Sequence, residues 1–166
     1  MPHSLPATKL MIPASEWPVV FAEALVRDAI KFLRIVTEEK KLMQGHSTPL
    51  VLDRSHRLVG FVHLIDLLKN VRPLCGDTEA PCDLDKATTA VGELTVPFAG
   101  TVGPADSILT ALDLMMDHRV SLMPVLDSEK LLGIIKLSDV FTTVASLLFD
   151  EEIIEEKDIL MKRFHL

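Results

Sequence analysis

Two short stretches hold the residues best placed to do chemistry. In GFVHLIDLL (60–68), His63 precedes Asp66 by three positions; in GIIKLSDVF (133–141), Lys136 precedes Asp139 by the same three. A glycine opens each stretch, Gly60 and Gly133, six residues ahead of the aspartate. A lysine ammonium is a compact point charge for an anion, and the free N–H groups of a helix start favour the same charge. A histidine acts this way only when protonated, or donates from a neutral tautomer. The two carboxylates are acceptors. Simpler roles compete: Lys136 in solvent, His63 packed at a boundary, and Ser138–Asp139 capping a helix.

Catalysis needs more than these groups. Ser, His and Asp occur, but no strand–turn–helix nucleophile motif gathers them, and there is no Walker A, HExxH or GxGxxG pattern. No enzyme activity is expected. His56 in a polar turn and His118 near a helix end read as surface residues, so with His46 they form no metal site, and none is expected.

The elements that position the two stretches recur. An apolar pattern between Ala22 and Met43, with Leu25, Ala29, Phe32, Leu33 and Val36 on one face, predicts a helix with a possible break near Thr37. Strands PLVLD (49–53) and LVGFVH (58–63) flank the turn RSHR, and IDLLKNV (65–71) returns to helical spacing. The order then repeats. Asp106 or Ser107 caps a helix over Ile108–His118; MPVLD (123–127) and LLGIIK (131–136) flank the turn SEK; SDVFTTVASLLF (138–149) closes as a helix. Each unit has one sheet face it cannot cover alone, so two units are expected to bury their sheets together, leaving clefts where they meet.

Around the repeats lie a loose leader (1–9) broken by Pro2 and Pro6, a polar linker (72–90), and a tail (150–166). The stretch LMIPASEWPVV (10–20) reads as extended chain or a short turn packed on the body, and VGELTVPFAG (91–100) as a short helical turn followed by extended chain. The units span 10–71 and 91–149. In the tail, Ile153, Ile154, Lys157, Leu160, Met161 and Phe164 suggest an amphipathic helix that clasps the body, adds to a dimer or docks a partner, with the homodimer favoured.

Bulk properties exclude several classes. The 166-residue chain has a formal net charge of −7 and no basic stripe, which argues against nucleic acid. No apolar run reaches the length of a membrane span, and the N-terminus lacks a signal-peptide pattern, so the expected location is cytoplasmic, with no membrane partner. In that reducing setting, Cys75 and Cys82 of CGDTEAPC are expected to be free thiols.

The second unit, TVGPADSILTALDLMMDHRVSLMPVLDSEKLLGIIKLSDVF, resembles a CBS domain, and LVLDRSHRLVGFVHLIDLL marks a more divergent copy before it. The resemblance covers about residues 10–149 and implies a Bateman module. The fold class it implies is α/β: two pseudo-symmetric CBS-type repeats packed through their small β-sheets, with a C-terminal helical extension. It also implies a regulatory sensor of an adenosine ligand (AMP, ADP, ATP or S-adenosylmethionine) acting through a homodimer or an unidentified regulated protein. The alternative is a ligand-free structural or protein-interaction module.

By the family pattern, Asp66 and Asp139 would hold ribose hydroxyls. His63 and Lys136 stand where a small hydroxyl residue often meets phosphate, beside Ser138. The adenine would rest against RVSLMP, through Val120, Ser121, Met123 and Pro124, or against GHSTPL (45–50) in the first copy. Gly100 and Thr101 would close the second site. Pro49 stands one position farther from Asp53 than Pro124 does from Asp127. The expectation is therefore two unequal sites, with the lysine copy the better one for a phosphorylated ligand.

Overall fold

The structure is a computed structural model that describes residues 5–40, 48–77 and 82–165. Two three-stranded sheets form its centre. In the first, β2 (Val19–Phe21) runs parallel to β3 (Leu50–Leu52), which pairs antiparallel with β4 (Leu58–Phe61). In the second, β6 (Lys130–Lys136) lies between β5 (Leu122–Asp127) and the two-residue β1 (Ile12–Pro13), antiparallel to both. Helices α1 (Val26–Lys40) and α2 (Leu64–Val71) belong to the first repeat; α3 (Ile108–His118) and α4 (Leu137–Arg163) belong to the second.

Burial follows the layers. Val20, Val26, Leu33, Val51 and Leu67 fill the space between the first sheet and its helices. Met115, Met123, Val125, Ile135 and Val140 do the same in the second repeat. Between the sheets lies a third cluster built on Trp17, Leu50, Leu52, Leu131 and Ile134. The repeats therefore share a core.

A segment exchange locks them further. β1 precedes the first repeat's helix yet pairs with the second repeat's β6, placing Pro13 opposite Gly133. Val96, ahead of the second repeat's first helix, pairs with β4 of the first: Phe61 N donates to Val96 O at 2.9 Å and Val96 N to Phe61 O at 2.8 Å. The two motif glycines lie under these crossings. A Cβ on Gly60 would collide with the Val96 carbonyl, and one on Gly133 with the Ile12 carbonyl and Met11. Backbone over backbone leaves no room for a side chain, which accounts for both glycines.

Several expectations need correction. Residues 5–9 are not loose: Ala7 is buried in the second repeat's core, and its amide donates to Asp106 O at 2.7 Å. Residues 1–4 lie outside the described residues. The first helix begins at Val26, not Ala22, because the preceding residues are held in β2 and by Ala22 N donating to Leu52 O at 2.8 Å. Thr37 does not break it; its hydroxyl donates to Leu33 O at 2.7 Å along the helix. Cys75 and Cys82 form a disulfide instead of free thiols, in a linker that Arg27 holds through Leu84 O and Asp85. Redox compartment sets only a general bias, and the return of the loop on itself has no mark in the sequence.

Local chemistry explains other joints. Ser107 caps α3, accepting from Thr110 N at 3.1 Å, and Arg119 ends it in a left-handed conformation. Asp53 Oδ1 accepts from Ser55 N and Arg57 N at 2.8 and 3.0 Å, closing the first hairpin turn. α4 is interrupted at Phe149, the residue where the repeat's last helix was expected to end. Among the described residues, no helix is long and apolar enough to cross a membrane.

Candidate functional site

Each motif places its polar residue and its aspartate at the start of a helix. His63 is the N-cap of α2 and Asp66 the third helical residue; Lys136 and Asp139 stand at the same places in α4. A carboxylate there interacts favourably with the helix dipole. Neither helix receives a side-chain hydrogen bond at its cap, so Ser138 and Asp139 do not cap α4. Each aspartate has an ion-pair partner at 3.8 Å, Lys69 for Asp66 and Lys136 for Asp139. In the second copy, the cation and the carboxylate expected to meet a ligand therefore face each other.

The first copy opens onto a cavity. It measures about 240 Å³ and is lined by Thr48, Phe61, His63 and Phe98 on one side and by Arg119, Val120, Ser121 and Leu122 on the other. The rings of Phe61 and Phe98 lie 4.9 Å apart at a 54° tilt, and His63 meets Phe61 edge-on at 5.2 Å. Two grooves on the first repeat are larger, about 290 and 350 Å³, but are lined mainly by Leu, Ile, Val, Ala and Phe. The cavity between repeats combines aromatic faces with hydroxyls, an imidazole and a guanidinium, the mixture expected of a small-ligand site.

Its walls are fixed by backbone. Phe98 arrives on the exchanged segment, two residues past the Val96–Phe61 pairing. Val120 N donates to Met115 O at 3.0 Å and Ser121 O accepts from Leu137 N at 2.9 Å, so residues 119–122 are tied to both α3 and α4. Trp17 Nε1 donates to Thr48 O at 3.0 Å, anchoring the opposite wall in the inter-sheet core.

The expected site residues are thus regrouped. Val120 and Ser121 share a cavity with His63 of the first copy, whereas Lys136, Ser138 and Asp139 are not among its lining residues. The reason is topological: in the packed pair, residues 119–122 face the start of α2 across the repeat boundary. Met123 and Pro124 are buried in β5, where core packing occupies their side chains. Gly100 packs near His118 and Leu114, and Thr101 is exposed; neither lines the cavity. Asp66 sits one helical turn behind His63 and outside the lining. Of the first-copy stretch 45–50, residues 45–47 lie outside the described residues.

Phe61 and Phe98 were not anticipated; Thr48, Arg119 and Leu122 lie within the stretches expected to meet the adenine but were not singled out. The aromatic pair carried a signal, since aromatics make up only 5% of the chain and Phe61 adjoins a motif glycine. Among the described residues, no group of three or more His, Cys, Asp or Glu side chains is arranged to hold a metal ion.

Comparison with known families gives the architecture a name. The CBS domain model matches residues 10–73 and again 91–146. The chain belongs to the CBS-domain family. It carries the domain as a tandem pair, and solved CBS-domain structures cover most of it. The CBSX2 protein, crystallised in complex with AMP, is 25% identical, with a TM-score of 0.61 over 86% of this chain and 98% of that one. The cytosolic domain of the Mg2+ channel MgtE, in complex with ATP, is 24% identical with a TM-score of 0.64, covering 84% of this chain but 49% of that one. The CBS domains of a transcriptional regulator from Streptococcus pneumoniae are 21% identical, with a TM-score of 0.59 over 83% and 98%. No curated protein matches the chain.

Proposed function

We propose that this tandem CBS pair is a regulatory sensor of an adenosine ligand, bound in the cleft between His63 and residues 119–122. The observation that carries the reading is the cleft itself: groups from both repeats converge there, and Phe61 and Phe98 offer aromatic faces to a base. A base seated against these rings has Ser121 and the 119–122 backbone at its edge. Asp66, at the start of α2, is the nearest counterpart of the family's ribose carboxylate. Arg119 and His63 supply positive charge or donors for phosphate. The AMP-bound CBSX2 structure supports the ligand class.

This reading differs from the sequence-based one in its choice of cleft. Lys136 pairs with Asp139 at 3.8 Å just as Lys69 does with Asp66, so ion pairing does not distinguish the copies; the aromatic-walled cavity at His63 does. The protein would act as a binding module, its signal passing through a homodimer or a partner protein.

Thermal unfolding in the presence of AMP, ADP, ATP, S-adenosylmethionine and adenosine tests the proposal. A ligand at a hundredfold excess over its Kd should stabilise by about 2.7 kcal/mol. Asp66→Ala should diminish that effect more than Asp139→Ala. If none of the five compounds raises the melting temperature, the sensor reading fails and a ligand-free interaction module takes its place.

A further inference from the structure

Among the described residues, the tail of α4 leaves several large apolar side chains exposed and Leu160 half-buried. Beyond the break at Phe149 the chain stays helical to Arg163, while Phe149, Met161 and Phe164 are 48%, 43% and 65% exposed. Helices of about 12–15 residues are marginal in water and depend on packing an apolar face. Among the described residues, the ion pairs include none from a charged side chain between Asp150 and Arg163.

Two features of the tail select its occupant. Apolar positions Phe149, Ile153, Leu160 and Phe164 are spaced four, seven and four apart, the same from either end. At about 100° per residue positions 153, 160 and 164 fall within a sector of about 40°, and Phe149 stands at the break that opens the tail. Charge divides about the same centre. Asp150–Glu156 carries five carboxylates and no base, whereas 157–163 carries Lys157, Lys162 and Arg163 against Asp158.

A two-fold interface requires a surface complementary to itself when reversed. An antiparallel pair centred between residues 156 and 157 sets position 149 level with 164 and position 153 level with 160. It also lays each acidic half along a basic half. A parallel pair would stack acid on acid, and an anionic lipid surface would repel the five carboxylates.

We propose that the α4 tail pairs antiparallel with the tail of a second copy, with the two-fold axis between Glu156 and Lys157. This pairing does not rest on the nucleotide reading.

Chemical cross-linking of the 166-residue chain with a short bismaleimide tests it, since Cys75 and Cys82 are already joined. Glu156→Cys should link to itself, its two copies being about 1.5 Å apart along the axis. Asp150→Cys should not, its copies standing about 20 Å apart along the axis. A mixture of Asp150→Cys and Arg163→Cys chains should give the mixed dimer. Adding Leu160→Asp to Glu156→Cys should abolish the link while Trp17 emission stays that of the folded protein. Self-linking at position 150 as strong as at 156 would establish a parallel pair and overturn the proposal. So would a link that survives Leu160→Asp, or no link at any position, which would leave the tail to its own chain or to another partner.

Discussion

Replacing Gly60 with alanine tests the segment exchange most directly. The added Cβ would overlap the Val96 carbonyl oxygen and lie 2.8 Å from its carbonyl carbon and 3.0 Å from Pro97 Cα. Ordinary carbon–carbon contacts lie at about 3.5–4.0 Å, so the crossing segment must retreat by nearly 1 Å. Overpacking of this kind costs about 1–3 kcal/mol. The retreat also stretches the reciprocal Phe61–Val96 hydrogen bonds, worth about 1 kcal/mol each. Alanine's narrower unfolded ensemble offsets about 0.5 kcal/mol. With both bonds lost the net cost is about 2.5–4.5 kcal/mol, and at about 2–4 °C per kcal/mol for a chain of this size Tm should fall by about 5–18 °C. Differential scanning calorimetry reads the shift. Gly100→Ala is the internal control: its Cβ would meet His118 and Leu114 at 3.8–4.0 Å, ordinary contact, and should change stability by less than about 0.5 kcal/mol. A Gly60→Ala protein melting within 1 °C (roughly the precision such a comparison needs) of the wild type would refute the crossing.

Other expectations address the linker and the cleft. Reduction of Cys75–Cys82 opens an eight-residue loop, so a dithiol reductant should lower stability by about 2–3 kcal/mol, and the double serine variant should no longer respond to it. Trp17 is the chain's single tryptophan and donates to Thr48 O in the cavity wall, so AMP should shift its fluorescence; an unchanged spectrum at a concentration that raises Tm would place the ligand elsewhere. Arg119→Ala should weaken AMP about tenfold or more by calorimetric titration and adenosine far less, because the loss is a charge-assisted bond to phosphate. Equal losses for the two ligands would remove Arg119 from that role.

Much of the fold was legible because apolar periodicity reports burial, and burial is repeated here. The hairpins around Asp53 and Asp127, the helix capped by Ser107 and the break at residue 149 all leave local marks. The exchange of segments does not. Ile12–Pro13 and Val96–Pro97 read only as extended chain, with no sign of their partners, because what they cover, Gly133 and Gly60, lies far away in sequence. The glycines were visible; their reason was not. The lining of the cavity was hidden for the same cause. Sequence order set Val120 and Ser121 beside Lys136 and Asp139, whereas packing sets them across from His63. Phe98 and Arg119 enter the wall only because a crossing segment and a left-handed helix end deliver them, and neither event has a short-range signature.

Cleft and tail are joined by one helix. Ser121 lines the cavity, its carbonyl accepts from Leu137 N at 2.9 Å, and Leu137 opens α4, whose far end carries the tail. A ligand against residues 119–122 presses on this joint while also touching His63 on α2 and Phe98 on the crossing segment. It can shift the arrangement of these pieces only by the difference in its affinity for their alternatives, and a hundredfold difference is worth about 2.7 kcal/mol. A shift of that size would alter the aim of α4 and the encounter of two tails, unless the break at Phe149 uncouples them. Saturating AMP should therefore change the rate of Glu156→Cys cross-linking by several-fold. If AMP raises Tm yet leaves the cross-linking rate unchanged, the cleft and the tail work separately, and the signal must leave through another face.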